Sequence, residues 1–236
     1  MKPLILFDLD GTLITANKKM NHLNTEIIGS PKEEMKKIAA QHGVPPDIIN
    51  SLNRMAHIWN QTRKYLNENG CPEGKIQTVM AELNGQFMVE ERADHKVSAL
   101  WPDTLETLQI LTELGYEMGV VTTASKESYE HISQSSNYGC FGNYFEYAIT
   151  RSECKYIKPD PEPIKRLLKL YNNPKFVYVG DTDHDAIASM SAGGIFILIN
   201  TRSHSEEAIL AMSPAKVIIS LKELPSVLKF LGKSTH

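Results

Sequence analysis

Short apolar runs punctuate the chain at Leu4–Phe7, Met118–Val121, Phe176–Val179, Ile195–Ile199 and Val217–Ile219, with a weaker one at Tyr144–Ile149. Each is rich in branched or aromatic residues and ends at polar residues or glycine, the pattern of strands buried on both faces of a parallel sheet. Between them lie segments of helical periodicity: Leu105–Leu114, Lys126–Gln134, Pro161–Tyr171, Asp185–Ala192, Ser205–Met212 and Leu221–Leu231. Alternating strands and helices predict an α/β fold, a doubly wound parallel sheet with helices on both faces.

The alternation fails between about residues 15 and 98, where only helical signals remain. Ser30, Pro31 and Glu33 fit a capping box with proline at the first helical position, and Gly43 fits a stop. Ile49, Leu52, Met55, Trp59 and Leu66 fall near helical spacing, as do Ile76, Val79, Met80, Leu83 and Phe87. The predicted organisation is a core of residues 1–14 and 99–236 with an all-helical domain, 15–98, inserted after the first strand. Trp59 and the methionines of that insertion read as its own core rather than a ligand box.

Composition narrows the function classes. The 236 residues are 42% hydrophobic and 22% charged, an ordinary globular balance, and the formal net charge of −3 carries no footprint for nucleic acid. Cys71, Cys140 and Cys154 show no paired spacing, which argues for reduced thiols over a disulfide framework or a structural zinc site. No apolar stretch approaches the roughly 18 residues of a membrane span. The expectation is a soluble cytoplasmic protein with no membrane partner.

In an open parallel sheet, ligands bind beyond the carboxyl ends of the strands. The first strand is followed by Asp8, Asp10, Gly11 and Thr12, the second by Thr122, Thr123 and Ser125, and the fourth by Gly180, Asp181, Thr182, Asp183 and Asp185. Lys158 precedes the helix that begins near Pro161. Carboxylates gathered in one place repel each other, so a divalent cation and a lysine are natural partners. Oxygen ligands without a histidine or cysteine cluster describe Mg²⁺. A carboxylate can attack phosphorus, and a second one two residues along can act as acid and then as base. Threonine hydroxyls, backbone N–H groups and Lys158 can hold the phosphoryl oxygens.

Asp8-Leu9-Asp10-Gly11-Thr12 resembles the first motif of the haloacid dehalogenase superfamily, Val121-Thr122 its second, Lys158 its third and Gly180-Asp181-Thr182-Asp183-His184-Asp185 its fourth. The insertion is similar to the helical cap of the phosphoglycolate phosphatase and β-phosphoglucomutase-like branch, with Trp101-Pro102-Asp103 as the return hinge. The resemblance implies a Rossmann-like core and a phosphoric monoester hydrolase. It casts Asp8 as nucleophile, Asp10 as general acid/base, and Thr122 and Lys158 as phosphoryl ligands beside Thr123. It implies Mg²⁺ ligation by Asp8, the backbone carbonyl of Asp10 and Asp181, with Gly11 and Thr12 supporting and Asp185 buttressing Lys158 or the cation's waters. Thr123 replaces a frequent asparagine, and Asp103 a frequent glycine.

Simpler readings stand beside these. Thr122 and Ser125 are also positioned to cap the following helix. Asp185 also suits a helix's first turn, Asp183 and His184 read as accessory, and Gly11 doubles as a turn glycine. The expected substrate is a small phosphorylated metabolite, hydrolysed by a monomer or homodimer. Alternatives are a phosphomutase, which returns the phosphoryl group to a bound sugar, and a phosphate-binding regulatory protein without turnover. Two crossings, near residues 14–18 and 96–102, are expected to hinge the insertion, which must supply substrate selection.

Overall fold

The computed structural model describes residues 2–15, 30–94 and 97–233. In chain order the elements are β1 (Leu4–Phe7); the helices α1 (Pro31–Gln41), α2 (Pro46–Ile49), α3 (Met55–Glu68) and α4 (Glu73–Asp94); then α5 (Thr104–Glu113), β2 (Met118–Val121), α6 (Lys126–Ser133) and β3 (Tyr147–Ile149). They continue with α7 (Glu162–Tyr171), β4 (Phe176–Gly180), α8 (Asp183–Ser191), β5 (Ile195–Ile199), α9 (Glu206–Met212), β6 (Lys216–Ile218) and α10 (Leu224–Lys233). The chain divides into a sheet unit of Met1–Ala16, Ser98–Cys154 and Lys158–His236, and a helical unit of Asn17–Val97 and Lys155–Ile157.

The sheet unit is α/β, as the sequence pattern predicts. Its six strands run parallel in the order β3-β2-β1-β4-β5-β6. β1 lies between β2 and β4, in register Ile5 with Met118 on one side and Val177 on the other. Its four residues are all buried, because alternate side chains feed two different cores. Ile5 and Phe7 join Val120, Val177, Val179 and Ile197 beneath Leu108 and Leu111 of α5 and Leu224 and Leu228 of α10. Leu4 and Leu6 join Tyr178, Phe196 and Leu198 against Ile164 and Leu167 of α7 and Ala186 and Ala188 of α8. The strand order reverses direction between β1 and β4, so the two strands' carboxyl ends open a crevice at the point where ligands bind in such sheets.

The run Tyr144–Ile149 is only partly strand. Phe141–Tyr144 forms a 3₁₀ turn, and β3 starts at Tyr147. The aromatic side chains explain the difference: Phe141 and Phe145 pack edge-to-face with each other and with Tyr129 and Phe7. They serve the core as wedges, not as ladder positions. The C-terminal run predicted from Leu221 as one helix is a 3₁₀ turn, Leu221–Glu223, capped by Ser220 and followed by α10. Asp103 accepts hydrogen bonds from Ser220 Oγ and from Lys222 N at 3.2 Å. Its carboxylate thus ties the start of α5 to the segment before α10, a use that glycine could not serve.

In the helical unit, Ala39, Val44 and Ile49 share a buried cluster with Leu52 and Tyr65 against it. Trp59 meets Phe87 edge-to-face with centroids 5.9 Å apart, and Ile76, Val79 and Leu83 are buried. α1 begins at Pro31 with Ser30 at its N-cap, but the capping box does not form: Ser30 makes no side-chain cap hydrogen bond, and Glu33 pairs with Lys36 at 3.2 Å instead. Leu52 lies between α2 and α3, so the run from Ile49 to Leu66 covers two helices. Asn60 of α3 brackets Ile157, donating to its carbonyl at 2.7 Å and accepting from its N–H at 2.9 Å, while Trp59 donates to the Lys155 carbonyl at 3.1 Å. These bonds join Lys155–Ile157 to the helical unit. Residues 16–18 and 96, parts of the expected hinge segments, lie outside the described residues. No helix among the described residues is long and apolar enough to cross a membrane.

Leu6 stands at the middle of the central strand with no exposed surface. Leu6→Ala should destabilise the sheet unit by about 2–5 kcal/mol, because neighbours held by the sheet cannot close the void. Urea unfolding followed by circular dichroism measures it, and a loss under about 1 kcal/mol would contradict the two-core packing.

Candidate active site

Three loops at the carboxyl ends of β1, β2 and β4, joined by the segment before α7, bring the predicted residues together. Asp8 follows β1, its N–H bonded to the Val179 carbonyl at 3.0 Å, so the β1–β4 ladder itself sets its position. Lys158 projects its ammonium into the same place. Nζ donates to Asp8 Oδ1 at 2.5 Å, Asp185 Oδ1 at 2.6 Å, Tyr178 Oη at 2.9 Å and the Val121 carbonyl at 3.1 Å. Asp8, Lys158 and Asp185 are all buried. One side chain therefore ties β1, β2, β4 and α8 at a single point.

The remaining predicted residues line the same loops. Thr122 is buried, and its Oγ1 accepts from Ala124 N at 3.0 Å, the geometry of a turn that presents the loop's backbone. Thr123 turns its carbonyl to Arg151 Nη1. Ser125 caps α6, accepting from Ser128 N at 3.2 Å, which realises the simpler of its two readings. Asp10 is half-buried on the turn that closes with Gly11 N donating to Ile14 O at 2.8 Å. Thr12 is fully buried, and its hydroxyl has no hydrogen-bond partner among the described residues. Asp183 opens α8, and its Oδ1 accepts from His184 N at 3.0 Å.

Glycines make the close approach achievable. Gly11 has φ +90°, and a Cβ there would fall 2.1 Å from Asp181 Oδ2. Any side chain would therefore collide with the carboxylate as well as strain the backbone. At Gly180 a Cβ would meet Asp185 Cγ at 2.6 Å. Asp185 in turn is fixed by a reciprocal capping box with Thr182, whose N–H donates to Asp185 Oδ2 at 3.0 Å and whose hydroxyl donates at 2.6 Å. One oxygen of Asp185 is thus spent on the helix start and the other on Lys158.

Negative charge exceeds positive charge here. Burial pushes the Asp8 carboxyl well up, against the pull of Lys158, and the neighbouring Asp185, Asp181 and Asp10 push it the same way. Burial also raises Asp181 to about 6, with Arg202 opposing. Burial acts against the Lys158 ammonium, yet Asp185 and Asp8 hold its pKa well above the usual range. In Asp185, burial is outweighed by Lys158 and the Thr182 bonds, and the pKa falls. Carboxylate oxygens of Asp8, Asp181 and Asp185 lie within 4.8 Å of one another, and the buried Asp181 Oδ1 has no hydrogen-bond partner among the described residues. An orphaned carboxylate oxygen in an over-negative oxygen-only cluster fits a hard divalent cation.

The sequence reading passed over the loop after β5. Thr201 Oγ1 donates to the Gly11 carbonyl at 2.7 Å, Arg202 Nε donates to Asp181 Oδ2, and His204 Nε2 is bonded to the Asp181 carbonyl at 2.8 Å. The strand-end rule that located the other loops applies equally to β5 and would have found them. Tyr178 is invisible by such reasoning, because its ring belongs to the core and only its hydroxyl reaches Lys158.

The Asp181 shift has a stability consequence. Its carboxyl titrates near 6 in the fold against 3.8 ordinarily, so the stability it contributes is complete below about pH 4 and is lost as pH rises through about 6. In chelator, wild type should lose more stability between about pH 4 and about pH 7 than Asp181→Asn, which has no charge to bury. Parallel melting curves for the two proteins across that range would contradict the assigned shift.

Known proteins share both sequence and fold with this chain. Residues 5–199 match the family model described as haloacid dehalogenase-like hydrolase. Pyrophosphatase PpaX of Bacillus cereus strain G9842 is 25% identical over 240 residues, covering 98% of each chain. A predicted phosphoglycolate phosphatase from Haemophilus somnus 129pt superposes with a TM-score of 0.58 at 19% identity, over 96% of this chain and 97% of that one. A 2-haloacid dehalogenase from Pseudomonas syringae pv. tomato DC3000 does so with a TM-score of 0.59 at 22% identity, over 98% of this chain and all of the other. These structures share the fold alone, and a fold does not choose between phosphate and halide chemistry; the family model spans most of the chain, which therefore belongs to the haloacid dehalogenase-like hydrolases.

Proposed function

We propose that this enzyme is a magnesium-dependent phosphatase that hydrolyses a small phosphate monoester through an aspartyl-phosphate on Asp8. The observation that carries the reading is the buried Lys158 ammonium shared by Asp8 and Asp185, beside an Asp181 oxygen that has no partner among the described residues. Asp8, the Asp10 carbonyl and Asp181 would hold the cation. When bound, it neutralises the repulsion between the carboxylates and an incoming phosphoryl group.

The chain's residues then divide the work. Lys158 draws Asp8 toward the ionised form against the effect of burial, and aligns its oxygen. Asp8 attacks phosphorus, and the bond from phosphorus to the leaving oxygen breaks. Asp10, two residues on, gives its proton to that oxygen. Thr122 and the N–H groups of its loop, with Lys158, stabilise the equatorial oxygens. Water then attacks phosphorus, Asp10 takes a proton from it, and the bond to Asp8 breaks to release inorganic phosphate. Dehalogenation would call for neither an acid at Asp10 nor a cation.

Relatives named as a pyrophosphatase and as a phosphoglycolate phosphatase support a small phosphate compound as substrate. The site residues recognise a phosphoryl group and a cation and nothing beyond them, so leaving-group selection falls to the helical unit. A cytoplasmic location accords with this metabolite chemistry.

Asp8→Asn, nearly isosteric and a very poor nucleophile, should lower kcat on an activated aryl phosphate at least about a thousandfold, roughly 4 kcal/mol of barrier. The far-UV spectrum should stay unchanged. A variant retaining a tenth of the wild-type rate would refute the covalent role. With wild type, turnover should vanish in chelator and return with Mg²⁺, with Ca²⁺ a poor substitute because its looser shell misaligns nucleophile and phosphorus. Full turnover after exhaustive chelation would sink the cation's role.

A further inference from the structure

The guanidinium of Arg202 touches the site at its least satisfied group. Asp181 has no exposed surface, and its two oxygens have different fates. Oδ2 accepts from Arg202 Nε and lies where a Cβ at Gly11 would fall 2.1 Å away, whereas Oδ1 is buried without a hydrogen-bond partner among the described residues. An arginine on an exposed loop ordinarily contributes little, because holding its side chain costs entropy and water screens its charge. Here the loop is anchored on both sides. Asn200 N donates to the Ile218 carbonyl at 2.8 Å, and Asn200 Oδ1 accepts from His204 N at 2.8 Å. Thr201 grips the Gly11 carbonyl on one side of Arg202, and His204 grips the Asp181 carbonyl on the other. The backbone that carries the guanidinium is therefore fixed to the same two loops that carry Gly11 and Asp181.

We propose that Arg202 is a positioning residue for the cation site: by holding Asp181 Oδ2 from the β5 loop, it fixes the carboxylate so that the other oxygen is left for Mg²⁺. This rests on the magnesium reading above. Two effects of opposite sign compete when the guanidinium is removed. Loss of a positive charge strengthens attraction for a cation, but the side chain is 36% exposed and its charge is partly screened. Loss of the only side chain seen holding Asp181 Oδ2 among the described residues leaves a buried carboxylate free to rotate away from its neighbours. Partners that orient a metal ligand typically govern affinity by about 10–100-fold, and the orienting effect wins.

The test is calorimetric titration of Mg²⁺ into the full chain as wild type, Arg202→Gln and Arg202→Lys, with circular dichroism to confirm that each is folded. Arg202→Gln should raise the dissociation constant by about 10–100-fold. Arg202→Lys, which keeps a charged donor, should raise it less. Turnover lost by Arg202→Gln at low Mg²⁺ should return as Mg²⁺ is raised. An unchanged constant would overturn the proposal. So would a tighter one, which would make Arg202 a counterion that the cation displaces. Loss of turnover that saturating Mg²⁺ does not restore would also overturn it. Wild type that binds no Mg²⁺ would instead bring down the magnesium reading itself.

Discussion

The site depends on one buried ammonium. Lys158 Nζ lies 2.5 Å from Asp8 and 2.6 Å from Asp185, with all three residues out of solvent. Taking such charges from water is costly, and breaking a buried pair by removing one partner typically costs about 3–5 kcal/mol. The arrangement persists because the groups that hold the lysine are themselves tied in. Tyr178 and Val121 add acceptors, and Thr182 occupies the second oxygen of Asp185. The fold converts this local constraint into geometry, since the lysine's partners come from β1, β4, the end of β2 and the start of α8.

The lysine does not balance the charge. Asp8 and Asp181 stay pushed up by burial, and only Asp185 is brought down. The imbalance is the physical basis for reading a cation site and a phosphoryl site in one place. A dianionic substrate would be repelled by these carboxylates alone, and the same carboxylates would give a hard cation its ligands. Gly11 and Gly180 permit the crowding by lacking a side chain where a Cβ would fall 2.1 Å from Asp181 Oδ2 or 2.6 Å from Asp185 Cγ. Stability is given up at this edge of the sheet, and the apolar faces of β1 and β4 below it supply the support.

Much of this was legible in the sequence because the signals are local. A strand buried on both faces shows as an unbroken apolar run, and Leu4–Phe7, Met118–Val121 and Ile195–Ile199 fall where the runs fall. The clustering of Asp8, Asp181, Asp185 and Lys158 follows from strand ends sharing one edge. What escaped was carried by long-range packing. Phe145 falls in the run read as strand but serves as a core wedge against Phe141. The bracket of Asn60 on Ile157 spans 97 residues and leaves no periodic trace. Arg202 and His204 follow β5, where the strand-end rule locates a loop, but that their partner is Asp181 appears only once β5 lies beside β4. Ser30 shows the converse: a correct helix start whose expected side-chain bond does not form.

The central claim is that Asp8 carries the phosphoryl group and Asp10 clears it. Asp10→Asn should accept phosphoryl from an activated ester, whose leaving oxygen needs little protonation, and then hold it because nothing activates water. Mass spectrometry of acid-quenched, digested protein reads this directly. With Mg²⁺ present, the account predicts a phosphoryl adduct on the peptide containing Asp8, absent from the Asp8→Asn variant and absent in chelator. An adduct on another residue, or substrate turned over by Asp10→Asn with no adduct at any time, would contradict it.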